Sequence, residues 1–394
     1  MGKIPANGGA PVRIPTFSFL TLLLVVLDVR AVEWEPILYP DSKIFPSYVV
    51  STATVEVPED VLAKWDVKHV GDENGMIGVI LKEVPKGAKF RVEILENELM
   101  GSAVITGTIP SRSEEWLILP KIPYKFPNLL RQAQPAIVNI TFKVSVDGVS
   151  QGEQIARADV RSINECLTAV LQDEESEPVD FSWLFAAYVN ENHPQIDGIL
   201  REALDAGVVT SFTGYQSGER QEVRAQIKAI WDVLQKRGFR YSDITTTDSE
   251  SEVVNSQYVR FFDDAIKSRS ANCVDGTVLM ASILRRIGLQ VTLAMLPTHM
   301  FLVVDLDEEG KKQIAIETTM MGDNAAPRKS ATKGKPSTKA EPVEAASTFG
   351  EAVRVGNEQF RENEDNFADE DALDYQLIDV SEARRLGIRP IALP

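Results

Sequence analysis

The chain contains only two cysteines and three histidines in 394 residues, so side chains that bind transition metals are scarce. It has no CxxC or HxxxH spacing, which argues against a zinc site. A Gly-rich phosphate-binding loop is also missing. Residues 305–310 imitate the start of a calcium-binding loop, but Ile316 occupies the twelfth position, where a bidentate glutamate is needed. We therefore expect neither a metal nor a cofactor.

Positive charge is in deficit, with 41 Lys and Arg residues against 58 Asp and Glu residues and a net charge of −17. Such a chain repels phosphate groups, which argues against non-specific binding to nucleic acid or anionic lipid. The apolar and charged fractions, 44% and 25%, are those of ordinary soluble proteins. The length is sufficient for two domains, each with its own core.

Long apolar runs are missing except for residues 17–27, which are too few to span a bilayer comfortably as a helix. Lys3 and Arg13 precede this run, and Val29 and Ala31 follow it with the alternate small residues that a signal peptidase prefers. We predict that residues 1–31 are a secretory signal peptide and that the mature protein is secreted or periplasmic. Asp28 lies unusually close to the run, so an uncleaved membrane anchor and a mis-assigned start codon stay open as alternatives.

The first part of the mature chain has the pattern of a β-sandwich. Prolines interrupt residues 32–48, which we interpret as an irregular linker. Apolar and polar residues alternate over 138–146, as in a half-buried strand, and the Asp147-Gly148 dipeptide that follows favours a tight hairpin turn. Short strands separated by Pro and Gly predict an antiparallel β-sandwich over residues 49–165.

The pattern becomes mixed α and β over residues 180–322. Apolar residues at three- and four-residue steps predict a helix that ends before Gly238 and a second helix over 273–287. Strands are predicted at 290–296, 299–306 and 312–318. Residues 323–348 lack apolar periodicity and are interpreted as a flexible insertion. Residues 349–394 are expected to form a helix and a tail that dock on the preceding domain.

The residues with the clearest chemical meaning surround Cys273, at the predicted start of the second helix. A cysteine at a helix N-terminus faces free backbone N–H groups and the positive end of the helix dipole, which favour the thiolate over the thiol. The thiolate is the nucleophile of cysteine catalysis. A buried structural cysteine is the alternative at this position.

His299 and Glu317 lie on the two strands that follow this helix. If the connecting hairpin has a three-residue loop, 308–310, with Gly310 left-handed, the register pairs residue 299 with residue 319 and sets Glu317 diagonally beside His299 on one face. A four-residue loop would turn the carboxylate away. With the first register, a nucleophile, a base and an orienting acid come together.

At these residues the chain resembles the transglutaminase-like superfamily, in a secreted bacterial-type form. The resemblance covers residues 256–322 and rests on three short motifs, Asn-Cys-Val-Asp-Gly at 272–276, Thr-His-Met-Phe at 298–301 and Ile-Glu-Thr-Thr at 316–319. It implies a papain-like α+β domain in which a cysteine helix packs on a sheet that carries the histidine and the acid.

The resemblance also implies a role for each residue. Cys273 would be the nucleophile, His299 the general base and acid, and Glu317 the orienter of the imidazole. The superfamily usually has Asp at the third position, so Glu317 is a departure that puts the geometry in question. Gln257 is a candidate oxyanion donor, because upstream glutamines have that role in related folds; an exposed glutamine at the start of a helix is its alternative.

These inferences predict a thiol enzyme that attacks an amide or ester of a protein or peptide through an acyl-cysteine. They do not separate a peptidase or amidase from an acyltransferase. Two alternatives remain at this point. The domain could be a non-catalytic relative that binds a partner protein or a glycan, or Cys166 and Cys273 could form a structural disulfide.

Overall fold

The computed structural model describes residues 31–56, 68–171, 178–242, 251–322, 345–369 and 372–393. They form a mixed α+β fold with several sheets. The predicted signal peptide lies outside the described residues except for Ala31. No helix in the described ranges is long and apolar enough to cross a membrane.

Residues 34–160 contribute two sheets, ordered β1-β4-β7-β3 and β2-β9-β8-β5-β6. Buried residues from both sheets pack into one apolar cluster, so each sheet covers an apolar face of the other. The elements are β1 (Trp34–Leu38), β2 (Lys43–Ile44), α1 (Pro46–Ser51), β3 (His69–Gly71), β4 (Ile77–Lys82), β5 (Lys89–Ile94), β6 (Ala103–Thr108), β7 (Glu115–Leu119), α2 (Phe126–Leu129), β8 (Ala136–Val146) and β9 (Val149–Val160).

The hairpin of β8 and β9 confirms the strongest local prediction in this region. Alternate residues of β8 from Val138 to Val146 are buried, as the sequence pattern indicated. The turn residues Asp147 and Gly148 have φ angles of 50° and 80°. Positive φ at both positions matches the right-handed twist of the two strands, and it is the reason for Asp-Gly here.

Two expectations for this region require correction. Residues 32–48 are not irregular, because they contain β1, β2 and the start of α1. Pro36 is tolerated because β1 is an edge strand, where a missing N–H breaks no sheet hydrogen bond on the open side. The strands are also not all antiparallel, since the short pairs β3–β7 and β2–β9 are parallel. Long chain connections separate the members of both pairs, which permits that direction.

The rest of the chain contains three further sheets, ordered β11-β10-β13, β12-β14 and β17-β16-β15-β18. Its elements are β10 (Glu165–Val170), β11 (Val179–Asp180), the 3₁₀ helix η1 (Ser182–Tyr188), α3 (Ile196–Asp205), α4 (Arg220–Lys236), β12 (Arg240–Tyr241), β13 (Val254–Tyr258), α5 (Phe262–Ser268), β14 (Ser270–Ala271), α6 (Cys273–Arg286), β15 (Val291–Leu296), β16 (His299–Asp305), β17 (Gln313–Ile316), the 3₁₀ helix η2 (Thr318–Met320), α7 (Ala345–Glu362), α8 (Glu364–Phe367), β18 (Gln376–Asp379) and α9 (Val380–Arg385).

Both helices predicted for the middle of the chain are present. The periodic apolar residues of α4, from Val223 to Leu234, are buried, and Gly238 follows the helix with φ of 79°. Helix α6 begins at Cys273 and is followed by Gly288 with φ of 83°. Left-handed glycines satisfy the last carbonyl groups of a helix, which explains both endings. Helix α6 packs against β15 and β16 and so brings Cys273 to the end of their sheet.

The predicted insertion, 323–348, lies outside the described residues up to residue 344, and α7 begins at Ala345. Helix α7 covers β17, the edge strand of its sheet. The N–H groups of Ala315 and Glu317 donate to Asn357 Oδ1 and to the Ala352 carbonyl, both at 3.0 Å. Strand β18 pairs with β15 at the other edge, and Ile391 near the C-terminus is buried. Helix α7 therefore covers the edge formed by β17, and β18 forms the other edge of the sheet.

Candidate active site

Cys273 occupies the first position of α6, and a capping box holds it there. Asn272 is the N-cap, and its side-chain oxygen accepts a hydrogen bond from the Asp275 N–H at 2.8 Å. The Asp275 carboxylate accepts in return from the Asn272 N–H at 3.3 Å. At this first position the backbone N–H of Cys273 has no acceptor within the helix. The positive end of the helix dipole and a free N–H thus lie beside the sulfur.

Asp275 fixes α6 to the preceding segment and is not part of the catalytic candidates. Its side chain is fully buried, accepts from the Arg260 N–H at 2.8 Å and forms an ion pair of 3.2 Å with the Arg260 guanidinium. Burial raises the pKa of this carboxyl, although the hydrogen bonds from Arg260 and Asn272 oppose the rise. The Asn-x-x-Asp pattern at 272–275 was the sequence signal for this cap, and we did not recognise it.

His299 and Glu317 meet as the sequence-derived register predicted. The pairs Leu302–Ile316 and Asp305–Gln313 have the predicted register, and Gly310 in the loop has φ of 67°. Strand β17 ends at Ile316, before the ladder reaches residue 299. His299 Nε2 lies 2.7 Å from Glu317 Oε2. The register prediction is confirmed, and the two side chains meet just beyond the end of β17.

The longer side chain of Glu317 is held in place by its own 3₁₀ helix. Glu317 is the N-cap of η2, and its Oε1 accepts from the N–H of Thr319 at 3.0 Å and from the Thr319 hydroxyl. Oε2 is therefore left for the imidazole. Burial raises the pKa of this carboxyl, but the hydrogen bonds from His299 and Thr319 and the histidine charge outweigh burial and lower the pKa below its usual value. These contacts explain how Glu can stand where Asp was expected.

The imidazole of His299 links the carboxylate to the thiol. Because Nε2 contacts Glu317, the nitrogen available to Cys273 is Nδ1, and Cys273 is close enough to the imidazole to influence its titration. Burial by itself lowers the pKa of this histidine. The hydrogen bonds with Cys273 and Glu317 and the negative charge of both outweigh burial and raise the pKa of His299 to about 10. These contacts therefore favour the imidazolium form of His299.

Three small or hydroxylated residues attach α6 to the strand ends. Thr277 Oγ1 lies 3.0 Å from Thr318 Oγ1, and the Thr318 hydroxyl also contacts the Cys273 carbonyl at 3.5 Å. A Cβ on Gly276 would approach Thr318 Oγ1 to 3.2 Å, so glycine permits this close packing. These contacts set the separation between Cys273 and the Glu317 loop. Sequence reasoning missed them, although Thr277 interrupts an apolar helix.

Cys273, His299 and Gln257 line one cavity of about 400 Å³. Gln257 is a half-buried residue of strand β13 and does not start a helix. Its Nε2 donates to the Tyr258 carbonyl at 3.1 Å. This bond uses one of the two N–H groups of the amide and leaves the second for a bound oxyanion, so that role stays a prediction.

The disulfide alternative is wrong, because Cys166 and Cys273 are both free thiols. Cys166 lies on β10 and is completely buried, and this burial raises its pKa well above the ordinary value. Cys273 is partly exposed at the cavity. The two thiols therefore differ in the property that decides reactivity, access of the thiolate to a reagent.

Comparison with known proteins identifies no relative. No family model matches the chain, and no curated protein matches it. Within the described residues, no group of three or more His, Cys, Asp and Glu side chains could hold a metal ion. The geometry of Cys273, His299 and Glu317 is therefore the basis for assigning a function.

The ion pair of His299 and Glu317 makes stability depend on pH in a defined direction. The pKa of Glu317 falls below 4.5 on folding, so its contribution is present above pH 4.5 and is lost as the pH falls through the lowered value. The pKa of His299 rises from 6.5 to about 10, so its contribution is complete below pH 6.5 and is lost as the pH rises through about 10. The stabilisation should be largest between pH 4.5 and 6.5.

We expect Glu317→Gln to remove this stabilisation, because a neutral amide cannot favour the imidazolium. The free energy of unfolding, measured in urea for both proteins, should differ most between pH 4.5 and 6.5 and converge towards pH 10. A difference that is constant over this range would mean that His299 and Glu317 do not form an ion pair in the folded protein.

Proposed function

We propose that this chain is a transglutaminase-like thiol enzyme that attacks an amide or ester of a protein or peptide through an acyl-cysteine intermediate. One observation carries the proposal. A partly exposed cysteine at a helix N-terminus lines the same cavity as His299, whose Nε2 lies 2.7 Å from the buried carboxylate of Glu317. This nucleophile, base and orienter arrangement is the one that covalent acyl transfer requires.

We also propose the domain arrangement, a mainly antiparallel β-sandwich followed by a papain-like α+β domain. The shared apolar core of the first two sheets supports the sandwich. The packing of α6 on a sheet whose strand β16 begins with His299 supports the second domain. The sequence-based boundaries, 49–165 and 180–322, start too late in both domains, because β1 and β2 belong to the first two sheets and β10 pairs with β13. Docking of residues 349–394 on the catalytic domain is part of the same proposal.

Export from the cytoplasm is also proposed, on the basis of the basic and apolar pattern of residues 1–31. The protein would then act as a secreted or periplasmic enzyme.

Acylation begins with the pair as thiolate and imidazolium. The sulfur of Cys273 adds to the carbonyl carbon, and the π electrons move to the oxygen, which the backbone N–H of Cys273 can stabilise. When the tetrahedral intermediate collapses, the carbon–nitrogen or carbon–oxygen bond breaks. The leaving amine or alcohol takes the proton of His299. The products are the acyl-cysteine and a neutral imidazole.

Deacylation reverses these roles. Neutral His299 accepts a proton from water or from an amine as it adds to the thioester carbon. The carbon–sulfur bond then breaks, and the sulfur leaves as a thiolate beside the new imidazolium. Glu317 holds Nε2 and so keeps Nδ1 directed at the sulfur and the incoming nucleophile. Water gives hydrolysis and an amine gives transfer, by the same steps.

Covalent labelling of the native protein tests the proposal. An acyloxymethyl ketone, which imitates an acyl donor, should modify Cys273 at neutral pH, and tryptic mapping by mass spectrometry should locate the label there. Cys166 serves as the matched internal control, because it is completely buried and should stay unlabelled until the protein unfolds. Cys273→Ala should abolish native labelling.

Labelling of Cys273 only after unfolding would contradict an active thiol. In that case the fold would be better explained as a non-catalytic module that binds a partner protein or a glycan.

A further inference from the structure

Apart from His299, which pairs with Glu317, the charged side chains of the described residues that line the cavity at Cys273 are acidic. Its lining comes from β10, β11 and β13, from the N-terminus of α6, from the turn between β15 and β16, and from residues 373–374. Two carboxylates, Asp180 and Asp374, lie among the lining residues. No lysine or arginine of the described chain lines this cavity. A bound group therefore meets negative charge from two separate segments.

Asp180 is the more informative of the two acids. It ends β11, is half-buried, and accepts a hydrogen bond from the Ser182 N–H at 2.9 Å. It forms no ion pair with any described Lys, Arg or His residue. Burial raises the pKa of its carboxyl, and the hydrogen bonds of Ser182 only partly oppose the rise. A half-desolvated carboxylate without a cation is costly to maintain, and a bound cation would remove that cost.

Asp374 lies on a different segment, two residues before β18, and its side chain is exposed. It also forms no ion pair within the described residues. An exposed acid in the lining attracts cations from solution, while a half-buried acid interacts with them more strongly. The two positions fit entry and binding of the same positive group.

The remaining lining is largely apolar. The apolar lining residues include Leu171, Phe185, Val274, Met295 and Leu373. An apolar surface with a carboxylate suits an aliphatic stem that ends in an ammonium or guanidinium group. The stem can pack on the apolar residues while the cation pairs with the carboxylate.

We propose that this cavity selects substrates that carry a positive charge on an aliphatic stem beside the reacting acyl group, with Asp180 and Asp374 as the residues that determine this specificity. The inference rests on the proposed thiol chemistry only in that the selected group must reach Cys273.

Charged methanethiosulfonates test this charge selection without knowledge of the natural substrate. Three reagents of similar size carry a trimethylammonium group, no charge or a sulfonate, and each converts an accessible thiol into a mixed disulfide. Their second-order rate constants at Cys273 are followed by intact-protein mass spectrometry. Each constant is divided by that for a small thiol in solution, which removes the intrinsic reactivity of the reagent.

We expect the cationic reagent to react about tenfold faster than the anionic one with the wild-type protein at low ionic strength. Asp180→Asn keeps an oxygen acceptor for the Ser182 N–H but removes the charge, and it should lower this ratio by about threefold or more. Asp374→Asn should lower it less, because its carboxylate is exposed to solvent. High salt should reduce the wild-type ratio as well.

Glu98→Gln is the matched control, since it removes one exposed, unpaired negative charge outside the cavity. Equal rates for the cationic and anionic reagents in the wild type would overturn the inference. It would also be overturned if the ratio of the two rates fell no further in Asp180→Asn and Asp374→Asn than in Glu98→Gln. Failure of the proposed function has a different result. The neutral reagent would then react with Cys273 at a rate that His299→Ala does not change, while the charge ratio could still be measured.

Discussion

Replacement of His299 with alanine is expected to reduce acylation of the protein by an activated ester about 10²- to 10⁴-fold at neutral pH, the usual contribution of a positioned acid–base group. The reason is that, in the proposed mechanism, the imidazolium of His299 stabilises the attacking sulfur and supplies the proton to the leaving group. The release of p-nitrophenol in a single turnover measures this rate. Alkylation by iodoacetamide should slow in the same variant.

Two comparisons make the His299 result specific. Glu317→Gln should act in the same direction but more weakly, because an orienting group sets the tautomer and angle of the imidazole and does not accept its proton. His193→Ala is the control, since this histidine stacks on Phe262 and pairs with Asp263 away from the cavity lining. Acylation at an unchanged rate in His299→Ala would show that the histidine does not activate the thiol.

Asp275→Ala is expected to reduce the free energy of unfolding by about 3–5 kcal/mol, the usual cost of removing one partner of a buried ion pair. The change leaves the guanidinium of Arg260, only 15% exposed, without its anion. It also removes the acceptor of the Asn272 N–H and with it one half of the cap on α6. Urea unfolding of both proteins under identical conditions measures the difference.

Glu351→Ala provides the contrast for Asp275. Glu351 forms an ion pair with Arg354 of similar length, 2.7 Å, but both side chains are exposed. Exposed pairs contribute about 0–1 kcal/mol, so this variant should be nearly as stable as the wild type. If the two variants lost the same stability, burial of the Asp275 pair would not explain its effect.

Local patterns in the sequence predicted much of the scaffold. Alternation identified β8, the Asp-Gly dipeptide identified its turn, and helical periodicity identified α4 and α6. The register of β16 and β17 was predictable as well, because a short loop with a left-handed Gly310 allows few pairings. In each case the sequence pattern and the structural element that it specifies lie within about 20 residues of each other.

The predictions of an irregular segment at β1 and of a helix start at Gln257 were wrong for the same reason. Prolines in residues 32–48 indicated an irregular segment, but the position of β1 at the edge of a sheet made Pro36 acceptable. Gln257 belongs to a strand because β13 pairs with β10, which is about 90 residues earlier in the chain. Neither the edge position nor the distant partner is visible in a local pattern.

The sequence by itself determined the order of Cys273, His299 and Glu317 on a helix and two strands, because strand alternation, helix periodicity and turn chemistry act over short distances. Tertiary structure alone decided the surroundings of these residues. It buried Asp275 against Arg260, directed Glu317 through Thr319, and brought Asp180 and Asp374 to one cavity from positions almost 200 residues apart. Such contacts depend on how whole elements pack, and local sequence carries little information about packing between distant segments.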